Sequence, residues 1–301
     1  MEDVLITGSS GFIGQNILSY LKSKFNCNTL SREELENIST ASINNNKAII
    51  HLAGKAHDLK SLFKLEEYYQ INFELTKQLY DAFLKSDIEK FIFVSSVKAA
   101  TDSVEGILNE NIKPNPQTHY GKSKLMAEEY IKNQYLPSGK TYYILRPCMT
   151  HGPLNKGNLN LLYKFVKKSI PYPLAGFNNK RSFLSVENLC FVINELIIRD
   201  DIPGGIYQVA DDDALSTNEV VSVLAGSLNV KPRLWKIPKN IIMFLAKVGD
   251  LLHLPLTTER LNKLTESYVV SNQKIKRALN KELPVTAIEG LKITADSFNK
   301  A

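Results

Sequence analysis

The chain is 301 residues long, 44% hydrophobic and 23% charged, a composition that excludes collagen-like, low-complexity and disordered chains. Its length suits one large domain or two lobes sharing a core. With 37 basic and 31 acidic residues the formal charge is +6, which accommodates a phosphorylated small molecule or nucleic acid and decides little between them.

Val4-Leu5-Ile6 predicts a short buried strand. It runs into Thr7-Gly8-Ser9-Ser10-Gly11-Phe12-Ile13-Gly14, after which Ile17, Leu18 and Leu21 fall at helical spacing. Strand, glycine-rich turn and helix form the context a dinucleotide-binding turn requires. Gly8 allows the tight turn, Gly11 lets backbone N–H groups approach a pyrophosphate, and Gly14 lets the helix pack on the strand. The helix N-terminus then faces the phosphate charge.

A ribose-binding acid is expected ~20 residues beyond the glycines. The second apolar run instead ends in Ser31-Arg32, followed by Glu33-Glu34. A hydroxyl and a guanidinium suit a 2′-phosphate, which favours NADP(H), with NAD(H) as the alternative. Ser31 with Glu34 also reads as a capping box opening a helix, and the two glutamates offset some of the attraction for phosphate.

Further apolar runs follow at Ala48–Ala53, Phe91–Val94 and Tyr142–Leu145, separated by helical patterns over Tyr68–Lys85 and Lys122–Gln134. This alternation predicts an α/β fold, a doubly wound parallel sheet. After residue 150, prolines punctuate short segments. Residues 1–150 are therefore expected to bind the dinucleotide, with segments around 183–212 returning to that domain. Residues 151–182 and 213–301 are expected to form a smaller C-terminal substrate lobe. Within it, Ile241–Leu254 is apolar but broken by Lys247 and Asp250, and reads either as a packed amphipathic helix or as a membrane-surface segment.

Tyr120 and Lys124 stand four apart at the head of a helical segment, which stacks them on one face. An ammonium beside a phenol favours the phenolate and brings its pKa nearer working pH, as a general acid/base requires. The alternative is a solvated helix face. Ser95 and Ser96 follow a strand at its carboxyl end, where ligands bind in parallel sheets; the alternative is a serine pair capping a turn.

Taken together, Gly8, Gly11 and Gly14, His51-Leu52-Ala53-Gly54, Asn72, Ser95-Ser96, Tyr120-x-x-x-Lys124 and Arg146-Pro147 occur in one order at compatible spacings. The whole chain resembles the extended short-chain dehydrogenase/reductase superfamily. His151-Gly152-Pro153, Lys156-Gly157-Asn158 and Arg181–Val186 make it similar to the nucleotide-sugar branch: UDP-sugar 4-epimerases and UDP-4-keto-6-deoxy-N-acetylhexosamine 4-reductases. The resemblance implies a Rossmann-type fold. It places cofactor against Gly8, Ser10, Gly11, Phe12, Ile13, Gly14, Ser31, Arg32, Leu52, Ala53, Gly54, Asn72, Tyr120, Lys124 and Pro147. It implies that Tyr120 exchanges a proton with the sugar C4 oxygen, that Ser96 hydrogen-bonds the same oxygen beside Ser95, and that Lys124 holds the nicotinamide ribose. Lys98, Asn158 and Arg181 would meet the substrate, Arg181 at its diphosphate.

Three features depart from the family pattern: Lys98-Ala99-Ala100 replaces V-Y-G, His151 stands in place of a tyrosine, and the stretch before His51 is short. Val97-Lys98 after Ser96, where a 4,6-dehydratase carries acids, argues against dehydration. The sequence thus points to an NADPH-dependent 4-ketoreductase of a UDP-linked 6-deoxy-N-acetylhexosamine in surface polysaccharide synthesis. A UDP-sugar 4-epimerase is the alternative, and an idle nucleotide sensor the reading from another class. Cys27, Cys148 and Cys190 show no metal-ligand spacing and are expected to be reduced structural thiols. No leader pattern and no run of ~18 apolar residues is present, so a soluble cytoplasmic protein is expected, with no nucleic-acid partner. The resemblance adds a homodimer through Tyr68–Lys85 and Tyr120–Gln134.

Overall fold

The computed structural model describes residues 1–55, 65–155, 157–252 and 256–299. Strand β1 (Asp3–Thr7) leads through the glycine turn into α1 (Phe12–Leu21), and β2 (Asn26–Leu30) leads into the short α2 (Arg32–Glu36). Ser31 caps α2 in a reciprocal box with Glu34. Next come β3 (Ala48–His51), α3 (Leu65–Tyr69), a π-helical turn (Gln70–Glu74) and α4 (Leu75–Lys85). Strands β4 (Lys90–Val94) and β5 (Ile107–Leu108) precede α5 (His119–Asn133), which starts at the Thr118 N-cap. Then follow β6 (Thr141–Pro147), β7 (Met149–His151), α6 (Asn158–Lys167), β8 (Arg181–Ser185), α7 (Val186–Ile198) and β9 (Gly205–Val209). The chain closes with β10 (Ala214–Leu215), α8 (Thr217–Ser227), α9 (Lys239–Leu252), α10 (Thr258–Thr265), β11 (Val269–Val270), α11 (Gln273–Leu279) and α12 (Ala287–Asn299).

Six strands form one parallel sheet in the order β2-β1-β3-β4-β6-β9. β1, β3 and β4 are apolar and buried along nearly their whole length, as strands covered on both faces must be. One side packs on α1 and α7, with Ile17, Leu21, Leu189 and Ile193 in the core; the other packs on α4 and α5 through Leu79, Phe83, Ala127 and Ile131. The strand order reverses between β1 and β3. The crevice outside their carboxyl ends is where such sheets bind ligands. Two smaller sheets, β10-β8-β7 and β11-β5, tie the later segments to this frame.

Candidate active site

Thr7 ends β1 and His51 ends β3, side by side in the register. Their side chains hydrogen-bond at 2.7 Å, and the second imidazole nitrogen lies 2.8 Å from the Thr76 hydroxyl. Thr7 Oγ1 accepts from the Ala53 N–H, and Thr76 donates to the Asn72 carbonyl. One proton arrangement satisfies every contact: Thr7 donates to Nδ1 and His51 Nε2–H donates to Thr76. Burial, reinforced by the nearby Lys124 charge, holds the His51 pKa down to about 3, so the imidazole is neutral near pH 7. This chain fixes the two loops that flank the crevice.

The crevice contains a cavity of about 390 Å³. Gly8, Gly11, Phe12, Ile13 and Gly14 line it from the first turn, and Leu52, Gly54 and Lys55 from the third strand. Val94, Ser95 and Ser96 line it from the fourth, Tyr120 and Lys124 from α5, and Pro147, Cys148 and Thr150 from beyond β6. Sequence reasoning missed Lys55, Val94, Cys148 and Thr150. Their position at, or within four residues of, the ends of β3, β4 and β6 was the available signal.

These residues fit a dinucleotide. Gly8 sits at φ +71°, and a Cβ there would lie 2.6 Å from the Ala53 nitrogen; at Gly14 one would lie 2.2 Å from the Gly8 oxygen. Packing alone therefore requires both glycines. At Gly11 a Cβ meets only the Gly8 oxygen at 3.4 Å, so the protein itself does not demand a glycine. Gly11 instead leaves room at the N-terminus of α1, which has no side-chain cap and no acid in its first turn. Uncapped N–H groups with the positive end of the helix dipole make a ready phosphate site.

Ser96 and Tyr120 converge. Asp102 accepts from the Gln117 and Thr118 N–H groups at 2.6 and 3.1 Å and from the Thr118 hydroxyl at 3.1 Å, anchoring the start of α5. Asp102 and Thr118 were not read as part of the site, although Thr118 before a helix is an N-cap signal. A Cβ on Gly121 would lie 2.4 Å from the Lys98 carbonyl oxygen, so glycine is what lets α5 approach the Ser96 loop. The Tyr120 phenol hydrogen-bonds Ser96.

Burial dominates the phenol and pushes its pKa up, and the Ser96 hydrogen bond opposes that. The sequence expects Lys124 to lower it. In the structure the Lys124 ammonium instead donates to the Val94 carbonyl at 3.2 Å and stands 4.7 Å from the centre of the Phe93 ring. It faces the sheet ends and Gly54, and burial draws its own pKa down to about 8.

Of the remaining expected residues, all but Ser95 lie outside the cavity lining. Asn72 is fully buried behind it in the π-turn; it joins the Lys55 backbone at 2.7 and 3.1 Å to Ser123 of α5 at 3.0 Å. Ser95 touches the cavity, but its hydroxyl donates to Glu128 at 2.5 Å, within a buried pair of Glu128 and Arg146. Lys98 donates to the Asp102 carbonyl at 2.9 Å and lies 4.6 Å from the Tyr268 ring centre. Arg181 donates to the carbonyls of Glu266, at 3.1 Å, and Lys263, bracing β8 on the end of α10. Asn158 is exposed at the first position of α6, and Lys156 beside it lies outside the described residues.

Ser10, Ser31 and Arg32 are exposed, and Arg32 pairs with Glu36 at 2.9 Å. His151 is buried and bonded to Thr294 at 2.8 Å, a packing role. Cys148 and Cys190 are buried free thiols, and burial pushes both upward, Cys190 to about 12. Among the described residues, no cluster of metal-ligand type occurs and no helix is long and apolar enough to cross a membrane.

A family model described as NAD dependent epimerase/dehydratase family matches residues 4–210. The chain is 29% identical to a UDP-glucose 4-epimerase of Vibrio cholerae over 100% of its own length and 96% of that protein's. It is 26% identical to an N-acetyl-alpha-D-glucosaminyl-diphospho-ditrans,octacis-undecaprenol 4-epimerase of Escherichia coli O157:H7, with 92% and 85% covered. The fold is also that of the UDP-N-acetylglucosamine 4-epimerase from Bacillus cereus, at TM-score 0.75 and 20% identity, over 100% of this chain and 99% of that one.

Proposed function

Because the chain belongs to the NAD dependent epimerase/dehydratase family, as an enzyme of the extended short-chain dehydrogenase/reductase type, we propose that it is a C4 epimerase of UDP-linked sugars, glucose or its N-acetyl form. The observation that carries the reading is the end-to-end similarity to a UDP-glucose 4-epimerase together with the convergence of Ser96, Tyr120 and Lys124 on one cavity.

When bound, the nicotinamide would supply reversible uptake of hydride at the sugar C4. The chain's own residues carry the proton. Tyr120 takes it from the C4 hydroxyl as the carbon is oxidised and returns it to the C4 oxygen when the carbon is reduced on its other face. Ser96, hydrogen-bonded to Tyr120, holds that oxygen in line. Lys124 holds the ribose from the Gly54 side. Asn72 keeps the Lys55 backbone and α5 in register. Gly11 and the start of α1 receive the pyrophosphate.

For the cofactor we favour NAD(H). Arg32 and Ser31 have intrachain partners, and α2 carries Glu33, Glu34 and Glu36 against one arginine, a poor setting for a 2′-phosphate. A guanidinium at the end of β2 is what supports the alternative, NADPH-driven ketoreduction. A homodimer through the α4 and α5 faces belongs to the same reading, and light scattering tests it.

The deciding experiment incubates catalytic amounts of protein with UDP-glucose or UDP-N-acetylglucosamine, without added reductant, and follows the sugar signals by NMR. Appearance of the C4 epimer is expected. No epimer, with net NADPH consumption on UDP-4-keto-6-deoxy-N-acetylglucosamine, would replace the reading with the ketoreductase.

A further inference from the structure

Helix α9 has two apolar stripes. Ile242, Ala246 and Gly249 turn inward, where the first two pack on Leu174 and Leu261. Ile241, Phe244, Leu245, Val248, Leu251 and Leu252 recur at three- and four-residue spacing on the opposite side. Phe244 is 65% and Leu251 79% exposed, and nearby Trp235, the sole tryptophan of the chain, is 58% exposed. A monomer rarely exposes so continuous an apolar stripe without a use for it.

The charge around this stripe identifies what it meets. Segment 157–180 runs beside segment 229–252: Tyr172 pairs with Leu234, Leu174 with Lys236, and Arg233 donates to the Ser169 carbonyl at 3.1 Å. Of the chain's 37 basic and 31 acidic residues, these two segments hold 9 and 1, a net +8 that leaves −2 for the rest of the molecule. The single acid, Asp250, is spent on capping α10 through the Thr258 N–H at 3.0 Å. Lys167, Lys168, Arg233, Lys236, Lys239 and Lys247 are exposed.

We propose that this face docks the protein on an anionic lipid bilayer surface, with α9 lying in the headgroup plane and the lysines on lipid phosphates. An apolar stripe gives such a helix its depth, and each nearby cation adds attraction that salt screens. A protein partner or second copy would bury the stripe too, but neither accounts for the chain's whole positive excess falling in the segment that carries the stripe and the one beside it. The proposal does not depend on the sugar substrate.

Trp235 supplies the probe. With vesicles of phosphatidylglycerol mixed into phosphatidylcholine at low salt, the full-length protein is expected to cosediment, its emission to shift blue, and brominated lipid to quench it. Pure phosphatidylcholine should give little of this. A Phe244→Glu/Leu251→Glu variant, altered only at exposed positions, should bind the mixed vesicles about tenfold more weakly or worse. Lys236→Glu/Lys239→Glu should do likewise while leaving the apolar stripe intact.

Absence of binding by the unaltered protein would overturn the proposal. So would equal binding by both variants. Self-association that Phe244→Glu/Leu251→Glu abolishes, with no vesicle binding, would assign the stripe to a second copy and overturn it as well.

Discussion

At the scale of single residues, the phenol of Tyr120 is pulled two ways, upward by burial and downward by its hydrogen bond to Ser96. Removing the bond in Ser96→Ala leaves burial unopposed and raises the phenol's pKa. The acidic limb of the kcat/KM profile should then move to higher pH, with a loss of about 10–100-fold near neutrality. Tyr120→Phe should lose about 10³-fold or more in turnover while retaining dinucleotide binding, measured by calorimetry. The three glycines separate packing from binding. Gly14→Ala collides with the Gly8 carbonyl and should lower stability by about 1–3 kcal/mol in urea titrations. Gly11→Ala should melt like the parent yet bind dinucleotide about tenfold more weakly.

These positions were legible because each motif is local and sits at a strand end. The side chains whose partners come from far along the chain were not. Ser95 meets Glu128 and Arg181 meets the Glu266 carbonyl, contacts 33 and 85 residues apart that no spacing rule reveals.

At the scale of elements, α5 carries both the site and its support. Lys124 and Glu128 lie one turn apart on its inward face, and Glu128 binds Arg146 of β6 through Nε at 3.0 and 3.1 Å. Glu128→Gln leaves a buried guanidinium short of its counter-charge and should destabilise the protein by about 3–5 kcal/mol. Pairing it with Arg146→Met should recover part of that loss.

Lys124 works against stability. Its folded pKa of about 8 lies below the ordinary lysine value of 10.5, so the unfolded chain binds more protons between those pH values. Stability therefore rises with pH from about 8 to 10.5. Lys124→Met should be about 3–4 kcal/mol more stable than the parent at pH 7, converge with it by pH 10.5, and be inactive. Denaturant titrations across that range read the difference. The helix and strand series was legible from apolar periodicity. The π-turn at Gln70–Glu74 was not, because its extra residue leaves the apolar pattern of α4 unchanged; it places Asn72 against Lys55 and Ser123.

At the scale of the whole molecule, the reversal of strand order between β1 and β3 creates the crevice, Pro147, Cys148 and Thr150 line it from the later segments, and β8 pairs with β7, which carries Thr150. Tyr268 donates to the Thr101 carbonyl at 2.7 Å, so a residue near the end of the chain holds the loop that follows Ser96. The alternation of strands and helices announced the sheet. The prolines after residue 150 announced a change of texture without its pairing, because β7, β8 and β10 are only 3, 5 and 2 residues long.

In the epimerisation proposed, hydride leaves the sugar C4 and returns to that same carbon within one crevice. UDP-N-acetylglucosamine and UDP-glucose carrying deuterium at C4 test it directly, by mass spectrometry and NMR of the products without added reductant. The C4 epimer of at least one of them is expected, with the deuterium retained at C4. Unchanged sugars, together with a single transfer from NADPH to a 4-keto-6-deoxy sugar, would contradict it.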